Sequence, residues 1–319
     1  MAEQQLLVTP AKTVQKVQRG RIADQTARVA FLVCAVLMIL IIIGVFIFIG
    51  INGFRVFAAD PHARNFFAST NWDPQGSNGT PSYGILGFII GSVVTTLLAT
   101  IIVTPLAFGM ALFMTEVSPK WLENILRPLL EIFTGMPSVV IGFLGLVILI
   151  PFISKVAGPH TPNPATAGEG WAAATLVLII MILPTVISIS IDALRAVPAS
   201  VREASLALGS TRWQMMKSAI IPAATTGLAT AVVLGVARAI GEALAVSMVL
   251  QGNALPPNWY TPLGWFQPNV NLTQPIVLYF QESSGAERDA YFFIGFILLV
   301  ISFIFVSISR YLASRSVYK

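Results

Sequence analysis

Residues 223–250 read AATTGLATAVVLGVARAIGEALAVSMVL, an apolar stretch interrupted by Arg238 and Glu242, which fall one helical turn apart. At about 1.5 Å per residue, a helix of this length crosses the ~30 Å hydrocarbon core of a bilayer. A charged side chain near the bilayer centre costs about 2.5–3.5 kcal/mol on insertion scales, so both groups are expected to face a bundle interior or a polar path. Immediately upstream, residues 201–222 read VREASLALGSTRWQMMKSAIIP, too hydrophilic to span. An embedded charge pair just after a polar docking element implies transport driven from one side.

Working outward, five more runs are long enough to cross: 29–51, 85–114, 132–153, 171–191 and 290–312. Apart from Arg238, Glu242 and the terminal Arg310, the six runs contain no ionised side chain. The 319 residues are 55% hydrophobic and 10% charged, with mean hydropathy +0.79. A soluble domain carries about 25% charged residues. The expected fold is therefore an all-α integral membrane protein with six transmembrane helices. The first run exceeds a signal-peptide core and reads as an uncleaved anchor, a cleavable signal ending near Ala58 and Ala59 being the minor alternative.

Fourteen of the 19 Lys and Arg flank the spans on one side, four lie on the other, and Arg238 is embedded. The positive-inside rule places both termini in the cytoplasm. The expected division is a basic cytoplasmic tail (1–28), a six-span domain (29–312) holding a cytoplasmic segment (195–222), and a short cytoplasmic tail (313–319). Membrane flanks account for the net charge of +5 without nucleic acid. Cys34 is the only cysteine, and His62 and His160 are isolated, so no disulfide, metal site or cofactor is expected. The two long outside segments, 52–84 and 251–289, are rich in Gly, Pro, Asn and aromatics and are expected to form ordered turns rather than helices.

The cytoplasmic segment parses into two short helices. Ser200 to Glu203 matches a capping box with Ser200 as N-cap, Gly209 supplies a stop, and Thr211 to Gln214 matches a second box opening a helix that runs to Pro222. Ala204, Ala207 and Leu208 offer a small apolar face suited to another protein's groove; an ordinary structured loop is the plain alternative. A DNA-reading helix-turn-helix fits the turn, but both flanks lead into the membrane and leave no freedom to enter a groove.

At these residues the chain resembles a known family. EASLALG followed by Pro222 is similar to the EAA loop of bacterial ABC importer permeases, with Glu203, Ala204, Gly209 and Pro222 matching and Ser205, Ala219 and Ile221 departing by small or conservative changes. RAIGEALAVSMVLQGN, STNWDP in the first outside loop and GMPSVVIGFLGL after Glu131 resemble phosphate permeases of the PstC type. The resemblance implies a type I ABC importer permease fold in the bacterial plasma membrane. It also implies a coupling role for Arg202, Glu203, Ala204, Ser205, Gly209 and Pro222 on the ATPase. The implied partners are a PstA-type permease, two PstB-type ATPase subunits and a PstS-type phosphate-binding protein outside. No Gly-x-x-x-x-Gly-Lys-Ser/Thr loop occurs, so ATP is expected to bind another chain, and this subunit is expected not to be an enzyme.

Arg238 is the residue expected to meet the anion, since a guanidinium matches oxyanion geometry and keeps its proton. Glu242 is expected to neutralise it between turnovers; a purely structural ion pair is the alternative. Ser92, Thr96, Thr100 and Thr104 recur at i+4 on one face of the second span, either lining a path or packing against a neighbour. A permease for sulfate or molybdate, and a transporter driven by an ion gradient, are the rival functions; the latter leaves the EAA-like loop without a role.

Overall fold

The computed structural model describes residues 10–77 and 79–316. The ends of both expected tails, residues 1–9 and 317–319, lie outside the described residues. The chain forms two compact units, Met1–Ile51 and Asn52–Lys319. In the first, helix α1 (Pro10–Phe54) carries the apolar run at 29–51 without a break.

In the second unit, α2 (Val56–Ala59) and a 3-10 turn (Pro61–Asn65) lead to a two-stranded antiparallel ribbon. Its strands are β1 (Trp72–Asp73) and β2 (Ser82–Tyr83), with Trp72 opposite Tyr83. Helix α3 (Leu86–Leu112) follows and continues as a π turn to Val117. Then come α4 (Lys120–Gly135), α5 (Ser138–Leu144), α6 (Ile150–Ala157) and α7 (Trp171–Arg195). Next are α8 (Ala199–Ala207), α9 (Arg212–Met215), α10 (Ile221–Ala223), α11 (Thr225–Gly241) and α12 (Leu244–Val249). The chain ends with α13 (Thr273–Tyr279) and α14 (Gly285–Ser316).

Five helical stretches are long and apolar enough to cross a membrane: Asp24–Ala59, Leu86–Val117, Ser138–His160, Trp171–Arg195 and Gly285–Ser314. Arg212–Ala223 and Thr225–Gly241 meet at 71° and make a sixth crossing when the bent pair is counted as one broken span. Helix α7 is the centre of the core. It is apolar on every face and buries Trp171, Val177, Leu178, Met181, Ile182 and Leu194. Against it α11 comes close at Gly235, where a Cβ would stand 2.7 Å from Val186 Cγ2.

Three expectations are corrected. The third span begins at Ser138, not 132, because Pro137 forces Met136 into an extended conformation (φ −66°, ψ 133°). The preceding Lys120–Gly135 is a separate amphipathic helix. The fifth apolar run is not one helix: α11 stops at Gly241, Glu242 is extended (φ −77°, ψ 114°), and the chain restarts as α12. Segments 52–84 and 251–289 contain short helices (α2, α13) and a ribbon as well as turns. Long-range packing supports them: Phe57 meets Phe293 edge-on at 5.0 Å, and Phe66 stacks on Tyr83 at 5.6 Å. Tyr83 donates to Asp60 Oδ2 at 2.9 Å, and burial together with that carboxylate raises its phenol pKa above the usual range.

Short α12 packs against α5 because Gly142 lets it in: a Cβ there would sit 2.7 Å from Ala245 Cα and 3.0 Å from Ala245 O. Gly142→Val should therefore cost about 1–3 kcal/mol by overpacking and lower the thermal midpoint of the purified assembly. Gly109→Ala, with nothing within 4 Å of the added Cβ, should not. Equal midpoints for the two variants would contradict the packing of α12.

Candidate functional site

Arg238 lies in the last turn of α11 and is half-buried. Its Nη1 donates to Thr185 Oγ1 on α7 at 2.9 Å. A cation at a helix C-terminus also gains from the unsatisfied carbonyls there. Glu242, the C-cap of the same helix, is turned out of the spiral by its extended backbone, and its Oε1 accepts from Ala245 N–H at 3.4 Å, at the start of α12. The expected Arg238–Glu242 pairing is therefore not made. Among the described residues the ion pairs are Arg28–Asp24, Arg195–Glu123 and Arg202–Glu116. The i,i+4 rule holds only while a helix is continuous, and this one breaks between the two charges.

The break itself is informative. Non-helical backbone at membrane depth is tolerated only where protein or a polar cavity satisfies it. Here it separates a guanidinium from a carboxylate, and Thr185 is the one hydrogen-bond partner of Arg238 among the described residues. A guanidinium carries five N–H donors, so this bond uses only a part of the fork. Thr185, which the sequence reading missed, follows Pro184 inside α7; a hydroxyl beside an interior proline was the available signal.

The hydroxyl stripe divides. Ser92 Oγ accepts from Leu272 N–H at 2.9 Å, fastening α3 to segment 251–289. Thr100 and Thr104 donate to the carbonyls of Thr96 and Thr100, each at 2.8 Å. Thr96 and Thr100 also line a cavity of about 520 Å³ with Val232 and Val236 of α11 and Phe305 of α14. Arg238 is not among its lining residues, so the structure does not bring stripe and arginine into one cavity.

Segment 195–222 forms the two helices expected of it, with one correction. Ser200 lies inside α8, whose N-cap is Pro198 with no side-chain cap bond, because the fixed φ of Pro198 starts the helix two residues earlier. Gly209 does end it, at φ +83°. Gly209 N–H bonds Leu206 O at 2.9 Å and Ser210 N–H bonds Ser205 O at 3.4 Å, a Schellman arrangement. The second capping box is complete, Thr211 N–H to Gln214 Oε1 at 2.8 Å and Gln214 N–H to Thr211 Oγ1 at 3.3 Å. Pro222 sits on the exposed side of α10.

The six coupling candidates split by position. Glu203, Ala204 and Gly209 are exposed, with Leu208 beside them at 89% and Trp213 at 64%. Arg202 turns inward. Its guanidinium donates to Glu116 Oε1 at 2.9 and 3.1 Å, to Leu194 O at 2.9 Å and to Val197 O at 2.6 Å. Ser205 Oγ lies 2.8 Å from Ser210 Oγ and braces the corner. Arg195 of α7 bonds Glu123 of α4. One ion pair, Arg202–Glu116, thus ties the helix carrying the exposed patch to the turn that ends α3, while Arg195–Glu123 joins α7 to α4 beside it. Glu116 and Glu123 were missed because nothing local marks which arginine each one meets.

Comparison with known proteins gives a consistent result. Residues 103–318 match the family described as binding-protein-dependent transport system inner membrane component. A probable ABC transporter permease protein, YqgH of Bacillus subtilis (strain 168), is 40% identical over 301 residues, 93% of each chain. The phosphate transport system permease protein PstC of Pasteurella multocida (strain Pm70) is 33% identical over 264 residues, covering 79% of this chain and 80% of that one. PstC of Mesorhizobium japonicum is 30% identical, covering 94% and 92%. Among solved structures, a bacterial alginate ABC transporter in complex with an alginate pentasaccharide-bound periplasmic protein superposes with TM-score 0.62 over 95% of this chain and 97% of that one, at 14% identity. The inward-facing MetNI methionine transporter gives 0.56 over 72% and 94% at 17% identity. These likenesses show the fold.

Proposed function

Because the chain belongs to the family of binding-protein-dependent transport system inner membrane components, we propose that it is the membrane-spanning subunit of an ATP-driven importer of inorganic phosphate. The carrying observation is Arg238, a half-buried guanidinium at a helix break with Thr185 as its partner. A charge held in the membrane without a neutralising carboxylate is costly, and an oxyanion in transit would offset that cost. Arg238 meets the phosphate, and Glu242 caps the restart of the helix beside the path. The subunit itself is not an enzyme; hydrolysis belongs to two cytoplasmic ATPase subunits that dock on the exposed patch around Ala204 and Leu208. A second, homologous permease completes the path, and an extracytoplasmic phosphate-binding protein delivers the ion.

The reading is tested by uptake in proteoliposomes holding the complete assembly. Labelled phosphate should enter only with ATP and the binding protein, whereas sulfate and molybdate should not enter. Entry driven by an ion gradient alone would refute it.

Topology gives a separate check. The protein sits in the bacterial plasma membrane with both termini in the cytoplasm. With Cys34 replaced by Ala, cysteines at Thr70 or Pro257, both exposed, should react with an impermeant thiol reagent added outside. Cysteines at Leu208 or Ser314 should react only after permeabilisation. The reverse pattern would invert the docking side.

A further inference from the structure

Two segments that the translocation path does not use, 69–74 and 251–253, meet in one place. Trp72 and Asp73 from the first outside loop and Gly252 and Asn253 from the second line a pocket of about 200 Å³, closed by Glu287 and Tyr291 at the start of α14.

The polar groups facing it are rich in acceptors. Glu287 accepts from Tyr291 OH at 3.3 Å and Gln75 Nε2 at 3.5 Å, and Asp73 Oδ1 accepts from Ser77 N–H at 3.0 Å. The Glu287 carboxylate has further lone pairs to offer. Gln274, only 3% exposed, lines the same pocket. Its Nε2 is used by Leu250 O at 3.1 Å and Gly252 O at 2.9 Å, and its buried Oε1 has no partner among the described residues. A buried acceptor left unpaired costs about 1–3 kcal/mol, so a donor is wanted there. No Lys or Arg is among the lining residues.

Two carboxylates, an orphan amide oxygen and the aromatic walls of Trp72 and Tyr279 suit a cation that donates several hydrogen bonds, and they repel phosphate. A hard divalent ion fits poorly. It takes about six to eight oxygens, and no group of three or more His, Cys, Asp or Glu among the described residues could hold one. An ammonium or guanidinium fits. We infer that this pocket receives a lysine or arginine side chain of the extracytoplasmic binding protein, on the face opposite the ATPase segment. The inference rests on the importer reading above.

The test uses the complete assembly in proteoliposomes, with phosphate uptake followed against the concentration of its binding protein. Asp73→Asn with Glu287→Gln should raise the half-saturating concentration about tenfold, keep the rate at saturation, and flatten its dependence on salt. Butylammonium at constant ionic strength should compete with the binding protein in the wild type and not in the double variant. Should the double variant fail to assemble, Glu287→Gln alone, whose amide keeps an acceptor for Tyr291, should show a severalfold rise. Unchanged half-saturation overturns the inference, as does Ca²⁺ that stimulates the wild type and not the variant, which would make the pocket a metal site. Wild-type uptake that ignores the binding protein would instead refute the importer reading itself.

Discussion

Arg238→Gln is expected to lower phosphate uptake about a hundredfold, near 2.7 kcal/mol at about 1.36 kcal/mol per decade, while leaving assembly intact. The variant removes the fork that would meet the anion but strands no carboxylate, because Glu242 is occupied with Ala245 N–H rather than with the arginine. Arg238→Lys should recover only part of the loss, since an ammonium keeps the charge and not the planar bidentate geometry. Thr185→Val should raise the half-saturating demand for transport severalfold and Thr185→Ser should restore it, because Thr185 aims the guanidinium through a single 2.9 Å bond. Glu242→Gln should be mild, its amide oxygen still able to accept from Ala245. The double variant should then show the product of the two single effects. If Glu242→Gln instead restored near-normal uptake to Arg238→Gln, the two side chains would act as a structural pair and the anion path would lie elsewhere.

The second large effect is expected at the corner between α8 and α9. Arg202→Ala removes four hydrogen bonds and leaves the Glu116 carboxylate, 9% exposed, without its cation. Discounted for the 24% exposure of the arginine, the local cost is about 1–3 kcal/mol, less than the stability of a domain and enough to release α8 from α3. Transport should fall at least about tenfold although the exposed patch itself is unaltered, because movement of the ATPase would no longer reach the spans. Gly209→Val acts differently. At φ +83° a β-branched residue is strained by about 1–2 kcal/mol, the Schellman closure opens, and Leu208 is presented in another direction. The ATPase subunits should be lost on purification from Gly209→Val and retained by Arg202→Ala. Retention with full uptake in both variants would remove the coupling role from this segment.

Some of this was local and therefore readable in the sequence. The apolar runs, the Thr211–Gln214 box and the stop at Gly209 each depend on residues close to one another in the sequence. The start of the third span was legible too, in Met136-Pro137, but a reading by hydropathy alone passed over it. Ser200 matched a capping pattern that Pro198 pre-empted. What the sequence could not contain was the choice of partner. Helical spacing put Glu242 beside Arg238, whereas the arginine's partner, Thr185, lies 53 residues away and that of Arg202, Glu116, lies 86 residues away. Gly142 admits Ala245 across about a hundred positions of chain, and that close approach gives α12 a neighbour to restart against. Short-range rules specify elements because their energies are settled within one turn. Where a helix breaks, and which buried charge meets which donor, is decided when distant segments compete for the same few ångströms of packed space.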